Sequence, residues 1–395
     1  MRPARLSLLL LSALAAGCSS VSVTPEHDVR APPATGTQPA LRGDRARTDA
    51  FPPGDSDGYR PPARLAVLLP MTGALSPAGA SVRDGLLTAY YAETRARPVI
   101  HFYDTQGSAS GAQAAVGKAI ADGVQMIVGP LTRDEVNAVL AGGNLPVPLL
   151  TLNHGVHPPP GTAGFALLPD DEGAAAAQRL LDRGITSALV ISNRTDSAQR
   201  TVAAFRAVLR SHGGDVVAEL NAGEPDQAAR LAVLPALPHP PGAVFLATDA
   251  AQARAAVGLL KVSPVGALPR IASSQILSGA SARADNELDG VEYPELPWLL
   301  GQHAGLPDFA SVTKSISSAR GPAQRLFAFG ADAWSLVAYF ERLYNDPSFA
   351  LPGATGRLHI DVDGSVAREM SWAVFSGGRG RPDTSPHRQV EAPAH

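Results

Sequence analysis

The sequence predicts an α/β protein of two lobes, each built on a parallel sheet. Two observations carry that prediction. From residue 64 onward, short apolar runs alternate with helix-length stretches, and strands alternating with helices require right-handed crossovers between parallel strands. Near residue 165 the alternation restarts, which leaves two βα arrays of about a hundred residues each, the size of one domain apiece.

The elements follow in order. Leu65-Ala66-Val67-Leu68-Leu69 reads as a strand buried on both faces, 70–77 as a turn region and 82–96 as a helix. Val99-Ile100-His101-Phe102-Tyr103 is the next strand and ends in Asp104-Thr105. A helix over 111–121 follows, then strand Met126-Ile127-Val128, which stops at Gly129-Pro130. Next come a helix over 133–141 and a strand over 147–152. Phe165-Ala166-Leu167-Leu168 is extended and leads into Asp170-Asp171-Glu172, an acidic helix start that suits the positive end of the helix dipole. After it come helix 172–183, strand 188–191, helix 197–211, strand 216–220, helix 225–234, strand 243–246, helix 252–260 and strand 270–272. Residues 288–300 are broken by Pro294, Pro297 and Trp298 and read as a crossing segment belonging to neither lobe; core packing at a hinge is the expected role of its apolar residues. A long helix is expected over 324–343. A β-hairpin is expected over 356–374, with Asp363-Gly364 as its turn, and the tail from 377 is expected to be frayed.

Composition bounds the chemistry. The 395 residues are 45% hydrophobic, enough for a large core, and the formal charge of −3 gives no bias toward nucleic acid or other polyanions. The single cysteine, Cys18, excludes an internal disulfide and a multi-cysteine zinc site.

That cysteine closes an export signal. Arg2 and Arg5 precede an apolar run, 6–14, too short to span a bilayer stably, and Ala15-Ala16-Gly17 then leads into Cys18. The pattern resembles a bacterial lipobox, which implies a signal peptide over 1–17 and a lipidated Cys18. Ala15 stands where Leu is commonest. Ser19, in place of Asp, implies the outer membrane by resemblance to sorted lipoproteins. Residues 19–62 are rich in Pro, Gly and polar residues and read as a disordered tether, about 35–40 Å long on average as a coil.

In open α/β sheets, ligands sit beyond the carboxyl ends of the strands. On the first array that rim would carry Thr72, Gly73, Ser76, Asp104, Thr105, Gly129, Pro130, Leu131 and Asn153; on the second it would carry Asn193, Asp249 and Gln275. Together they could line a cleft for a small polar molecule, with a helix start at Ser76 that would welcome a carboxylate. Gly, Pro, Asn and Asp at strand ends are also ordinary turn formers, and that is the more economical reading of each residue alone. Neither an arginine nor an aromatic stands out as an amino-acid clamp.

Catalytic and metal motifs fail. Residues 111–119 resemble a phosphate loop, but the spacing is one residue too long and Ala119 replaces the magnesium-binding Ser/Thr. There is no nucleophile elbow and no H-E-x-x-H, so no catalytic residue, metal ligand or cofactor is assigned.

Several motifs together resemble one family, the LpoA/LppC penicillin-binding-protein activators, in their part homologous to leucine-binding-type periplasmic proteins. They are Leu65-Ala66-Val67-Leu68-Leu69-Pro70-Met71-Thr72-Gly73, Tyr103-Asp104-Thr105, Val128-Gly129-Pro130-Leu131, Thr151-Leu152-Asn153, Leu288-Asp289-Gly290-Val291, Pro297-Trp298-Leu299-Leu300, Gly330-Ala331-Asp332-Ala333 and Ala354-Thr355-Gly356-Arg357-Leu358. The resemblance covers about 63–376. It implies two doubly wound Rossmann-like lobes joined by three crossings, one of 63–168 plus 292–345, the other of 169–291 plus 346–376, with 377–395 as tail. It also implies a non-catalytic outer-membrane lipoprotein that binds a class A penicillin-binding protein and stimulates its transpeptidase. Longer family members carry a helical-repeat domain where this chain has only the tether. A small-molecule-binding lipoprotein, closing on an amino acid or a wall fragment, is the alternative.

Overall fold

A computed structural model describes residues 48–156, 158–277, 282–303 and 305–383. Cys18, the signal and most of the expected tether lie outside these residues.

The first sheet joins β1 (Arg64–Leu69), β2 (Val99–Asp104), β3 (Met126–Val128), β4 (Leu149–Thr151) and β5 (Thr162–Gly164), all parallel, in the order β2-β1-β3-β4-β5. Both its faces are covered, and the two-residue period of β1 shows how. Leu65, Val67 and Leu69 enter one core with α1 (Ser76–Ala92), while Ala66 and Leu68 enter another with α2 (Ala109–Ala121) and α3 (Arg133–Leu140). Helix starts are set locally. Ser108 caps α2 through the Gly111 N–H, and Thr132 and Glu135 form a reciprocal capping box on α3.

A first crossing leads into α4 (Pro169–Leu181). There follow β6 (Ser187–Ser192), α5 (Asp196–Ser211), β7 (Asp215–Asn221), α6 (Gln227–Val233), β8 (Ala243–Ala247), α7 (Ala250–Lys261), β9 (Arg270–Ala272), α8 (Ala282–Asp285) and β10 (Val291–Glu295). The chain then returns to the first lobe through α9 (Phe309–Ser315), α10 (Ala323–Ala338), α11 (Phe340–Asn345) and the small sheet of β11 (Leu351–Pro352), β12 (Arg357–Ile360) and β13 (Val366–Glu369). It ends with β14 (Ser371–Ser376) and β15 (Arg379–Pro382) back in the second sheet. That sheet has the order β15-β14-β10-β9-β8-β6-β7, parallel from β10 to β7 and antiparallel at β14 and β15. Two separate sheets joined by three crossings are therefore present.

Close helix packing depends on glycine in both lobes. A Cβ on Gly85 of α1 would lie 1.9 Å from the Phe327 carbonyl oxygen of α10, and one on Gly330 would lie 2.0 Å from that of Val82. In the second lobe, a Cβ on Gly173 of α4 would lie 2.0 Å from the Thr201 oxygen of α5. The Gly330 motif of the sequence thus lets α1 and α10 touch backbone to backbone.

The structure departs from the sequence expectations in five places. Residues 48–62 are docked, not loose: Phe51 and Tyr59 are buried in the first core, the Tyr59 hydroxyl donates to the Ala96 carbonyl at 2.7 Å, and the Arg95 guanidinium lies 3.7 Å over the Tyr59 ring. The segment 288–300 supplies strand β10 to the second sheet and then buries Leu296 and Trp298 in the first core, so it belongs to both. The hairpin around Asp363-Gly364 ends at Glu369, and its Leu358, Ile360 and Val366 pack in the first core; Trp372 belongs to the next strand and the other sheet. Residues 379–382 pair with β14 in place of fraying. The helix expected over 324–343 also breaks at Tyr339.

Candidate functional site: strand-tip rim and hinge

The first-lobe rim is organised by Asp104 at the end of β2. Its Oδ1 accepts from the N–H groups of Met71 (2.8 Å), Thr72 (3.3 Å) and Gln106 (2.8 Å), and its Oδ2 accepts from the Thr72 hydroxyl (2.6 Å). Desolvation pulls its pKa upward, but the Thr72, Gln106 and Met71 donors outweigh it and hold the carboxyl below its ordinary value. Gly73, at φ +78°, turns the loop, and its carbonyl accepts from the N–H of Ser76, the first residue of α1. Thr105 is buried, with its N–H on the Leu69 carbonyl. Gly129, at φ +94°, leaves no room for a side chain because a Cβ would lie 2.1 Å from the Leu68 oxygen. The Gly129-Pro130 peptide is cis, and the Pro130 carbonyl accepts from the Leu152 N–H. The Leu131 carbonyl accepts from Asn153 Nδ2 at 3.2 Å.

The second-lobe residues are equally committed. Asn193 Oδ1 accepts from the Thr195 N–H and hydroxyl, and its Nδ2 donates to Gln252 Oε1. Asp249 caps α7 through the Gln252 N–H, and Gln275 Nε2 donates to the Ser197 hydroxyl at 2.7 Å. The structure therefore brings Thr72 to Asp104, Leu131 to Asn153, and Asn193 to Asp249 by way of Gln252. Among the described residues no hydrogen bond joins the first-lobe set to the second-lobe set. Among the described residues, five of the cavities open away from the rim, and none of these five is lined by any of the twelve rim residues.

At the crossings the chemistry is different. Arg368 on β13 has a side chain only 4% exposed; it donates to the Thr355 carbonyl (3.3 Å) and to Asp171 Oδ2 (3.5 Å), and its Nε has no partner among the described residues. Burial lowers the Arg368 pKa and raises that of Asp171, against the attraction between the two charges. Glu172 beside it accepts from the Ser274 hydroxyl (2.6 Å) and N–H (2.8 Å). Glu295, at the end of β10, accepts from Arg325 of α10 at 2.8 Å; burial raises its pKa, opposed by Arg325. Asp332 of α10 is fully buried and accepts from the N–H groups of Ala354 (2.6 Å) and Thr355 (2.7 Å) and the Thr355 hydroxyl (2.6 Å). Burial pushes its pKa up to about 6, against those three donors. Two ion pairs, Asp171–Arg368 and Glu295–Arg325, thus tie an element of the second sheet's lobe to one of the first.

Sequence reading assigned none of this hinge set. Asp171 and Glu172 were expected to serve the helix dipole, and Asp171 does take a backbone hydrogen bond from Leu168 at the start of α4. The missed signal was Arg368, which shares its strand face with Val366, a core residue. A charge on the inward face of a strand calls for a buried partner.

Among the described residues, no group of three or more His, Cys, Asp or Glu could hold a metal ion, and no helix is long and apolar enough to cross a membrane.

Comparison with known proteins places this geometry. The penicillin-binding protein activator LpoA of Mannheimia succiniciproducens is 28% identical over 323 residues, covering 80% of this chain and 54% of that protein. The chain therefore spans about half the length of the curated relatives it matches. The solved C-domain of Haemophilus influenzae LpoA, a regulator of PBP1A, superposes with a TM-score of 0.70 at 23% identity, over 81% of this chain and 99% of that one. A Chromobacterium violaceum structure described as a branched-chain amino acid ABC transporter gives 0.63 at 26% identity, over 79% and 100% of the two chains. The family model described as "LppC putative lipoprotein" matches residues 59–237 and 239–378, nearly all of the folded region. This chain belongs to the LppC lipoprotein family.

Proposed function

We propose that this protein is a non-catalytic lipoprotein that binds a class A penicillin-binding protein and activates its transpeptidase, held to the periplasmic face of the outer membrane through a lipidated Cys18. The observation that carries this reading is the family match across both lobes, taken with relatives named as penicillin-binding protein activators. The rim supports it: polar atoms that a solute would need already satisfy turns and helix caps, which leaves the surface as the means of recognition. Activation by binding requires that the surface prefer the synthase's active state, since equal affinity for both states shifts nothing.

The test pairs a pull-down with a crosslinking assay. The full-length chain should retain the class A synthase of its own organism and raise the fraction of crosslinked peptide; retention without stimulation, or neither, overturns the reading. Replacing Cys18 with Ser should release the protein from outer-membrane fractions. The alternative, a lipoprotein that binds an amino-acid-like solute or wall fragment between its lobes, draws on the likeness to the Chromobacterium structure. It predicts saturable solute binding that is lost in Asn193→Ala or Asp249→Ala.

A further inference from the structure

A cavity of about 870 Å³ opens on the hinge, away from the strand-tip rim. Pro297, two residues after β10, forms one wall, and Glu369-Met370-Ser371, the link from β13 to β14, forms another. Two of the three crossings between the lobes therefore border the same space. Pro352 and Ala350 add apolar surface, and Gly353 and Gly356, joined by a backbone hydrogen bond of 2.8 Å, form part of the wall. The volume lies within the range of small-molecule sites, which combine apolar walls with a few placed polar groups.

Two of those polar groups are charged and unused. Arg357 on β12 and Glu369 on β13 are direct partners across the antiparallel pair, both exposed and both lining the cavity. Cross-strand Cβ atoms lie about 5 Å apart, close enough for such a pair to join. Yet neither side chain forms a hydrogen bond or ion pair with the other or with any other described residue. Every other charge on these crossings has a protein partner: Arg368 has Asp171, Arg325 has Glu295, and Asp332 has Thr355. His303, on the cavity wall, is held toward its neutral form by burial, and its Nδ1 accepts from the Gly305 N–H at 3.1 Å, so it adds no competing charge.

We propose that this hinge cavity is a binding site for an ampholyte, an amino acid or a short peptide end, with the ligand carboxylate on Arg357 and its ammonium on Glu369. The apolar part of the ligand would lie against Pro297, Pro352 and Met370. An arginine and a glutamate at directly opposed strand positions, neither with a partner among the described residues, offer one group of each sign to a ligand that carries both charges. Because the ligand would touch two crossings at once, its occupancy would restrain the angle between the lobes. The site is independent of the synthase reading and of the rim.

Calorimetry on the full-length chain tests it with two probes, L-leucine for a free solute and D-alanyl-D-alanine for a wall peptide end. Saturable binding of either probe is expected, weakened at least tenfold in Arg357→Ala and in Glu369→Ala and unchanged in Asn193→Ala. Both hinge residues are exposed, so the variants should fold, and circular dichroism checks this. Acetate and methylamine, which carry one charge each, should bind at least tenfold more weakly. Absence of binding by both probes overturns the proposal, as does binding that survives Arg357→Ala or disappears in Asn193→Ala. Which of the two probes binds more tightly identifies the source of the ligand.

Discussion

The strand-tip rim and the hinge carry polar residues in similar numbers but use them in opposite ways. At the rim, the partners of Asp104, Asn193 and Asp249 lie within their own lobe, and the bonds close loops and cap helices. At the hinge, Arg368 and Arg325 pair with carboxylates carried by the other lobe, and in each pair one partner is less than a tenth exposed. A rim bond therefore defines local geometry, whereas a hinge pair defines how the lobes meet. Position in an α/β sheet suggests where a ligand would sit, but the bonding of the polar atoms decides whether they are available to it.

Four changes would break or sharpen that contrast. Arg368→Met should have the largest effect: it removes a side chain only 4% exposed and leaves Asp171, 36% exposed, without its partner, which brings the cost below that of a fully buried pair, to about 2–3 kcal/mol. Urea unfolding should show it, and Asp171→Leu in the same chain should restore much of the loss; a single-variant loss below about 1 kcal/mol would place this pair with the rim bonds. Asp332→Asn comes next and acts through pH. The folded carboxyl has its pKa raised to about 6 from 3.8, so the folded chain binds that proton more tightly than the unfolded chain does. Its contribution is then fully present below about pH 4 and is lost as pH rises through about 6. Relative to the Asn variant, which cannot titrate, wild-type stability should fall by about 2 kcal/mol between pH 4 and pH 8. Parallel stability curves for the two proteins would remove Asp332 from the hinge account.

Asp104→Ala should cost about 1–2 kcal/mol by leaving three loop N–H groups without their acceptor; hydrogen exchange should accelerate at Met71, Thr72 and Gln106 and nowhere on the second lobe. Asn193→Ala should cost least, about 1 kcal/mol or less, and should speed exchange at Thr195 alone. Spread of either effect across the crossings would show that rim and hinge are coupled.

What the sequence made legible, and what it concealed, follows from the same physics. The central strands announce themselves because burial on both faces demands continuous apolar runs, as in Leu65-Ala66-Val67-Leu68-Leu69. The rim residues were legible as turn formers because Gly73 and Gly129 sit where φ is positive. The docked segment was hidden because it is anchored by two widely spaced aromatics, Phe51 and Tyr59, which create no period. Strand β15 was hidden because Arg379-Gly380-Arg381-Pro382 has no strand propensity of its own; its order comes from pairing with β14, next to the Arg179–Asp383 ion pair. The hinge charges were hidden because a partner distant in sequence, such as Asp171 for Arg368, leaves no local trace.

The docked segment has one more consequence. It grips the first lobe at the amino ends of the strands: Gln125, just before β3, donates to the Ala50 carbonyl, and Tyr59 reaches Ala96, just before β2. Any leash to a bilayer therefore starts at Thr48 and not at Arg64, and its greatest span is shortened by about 50 Å. It also departs from the pole opposite the strand tips. The gap such a leash could bridge would then depend on whether Tyr59 and Arg95 keep their hold.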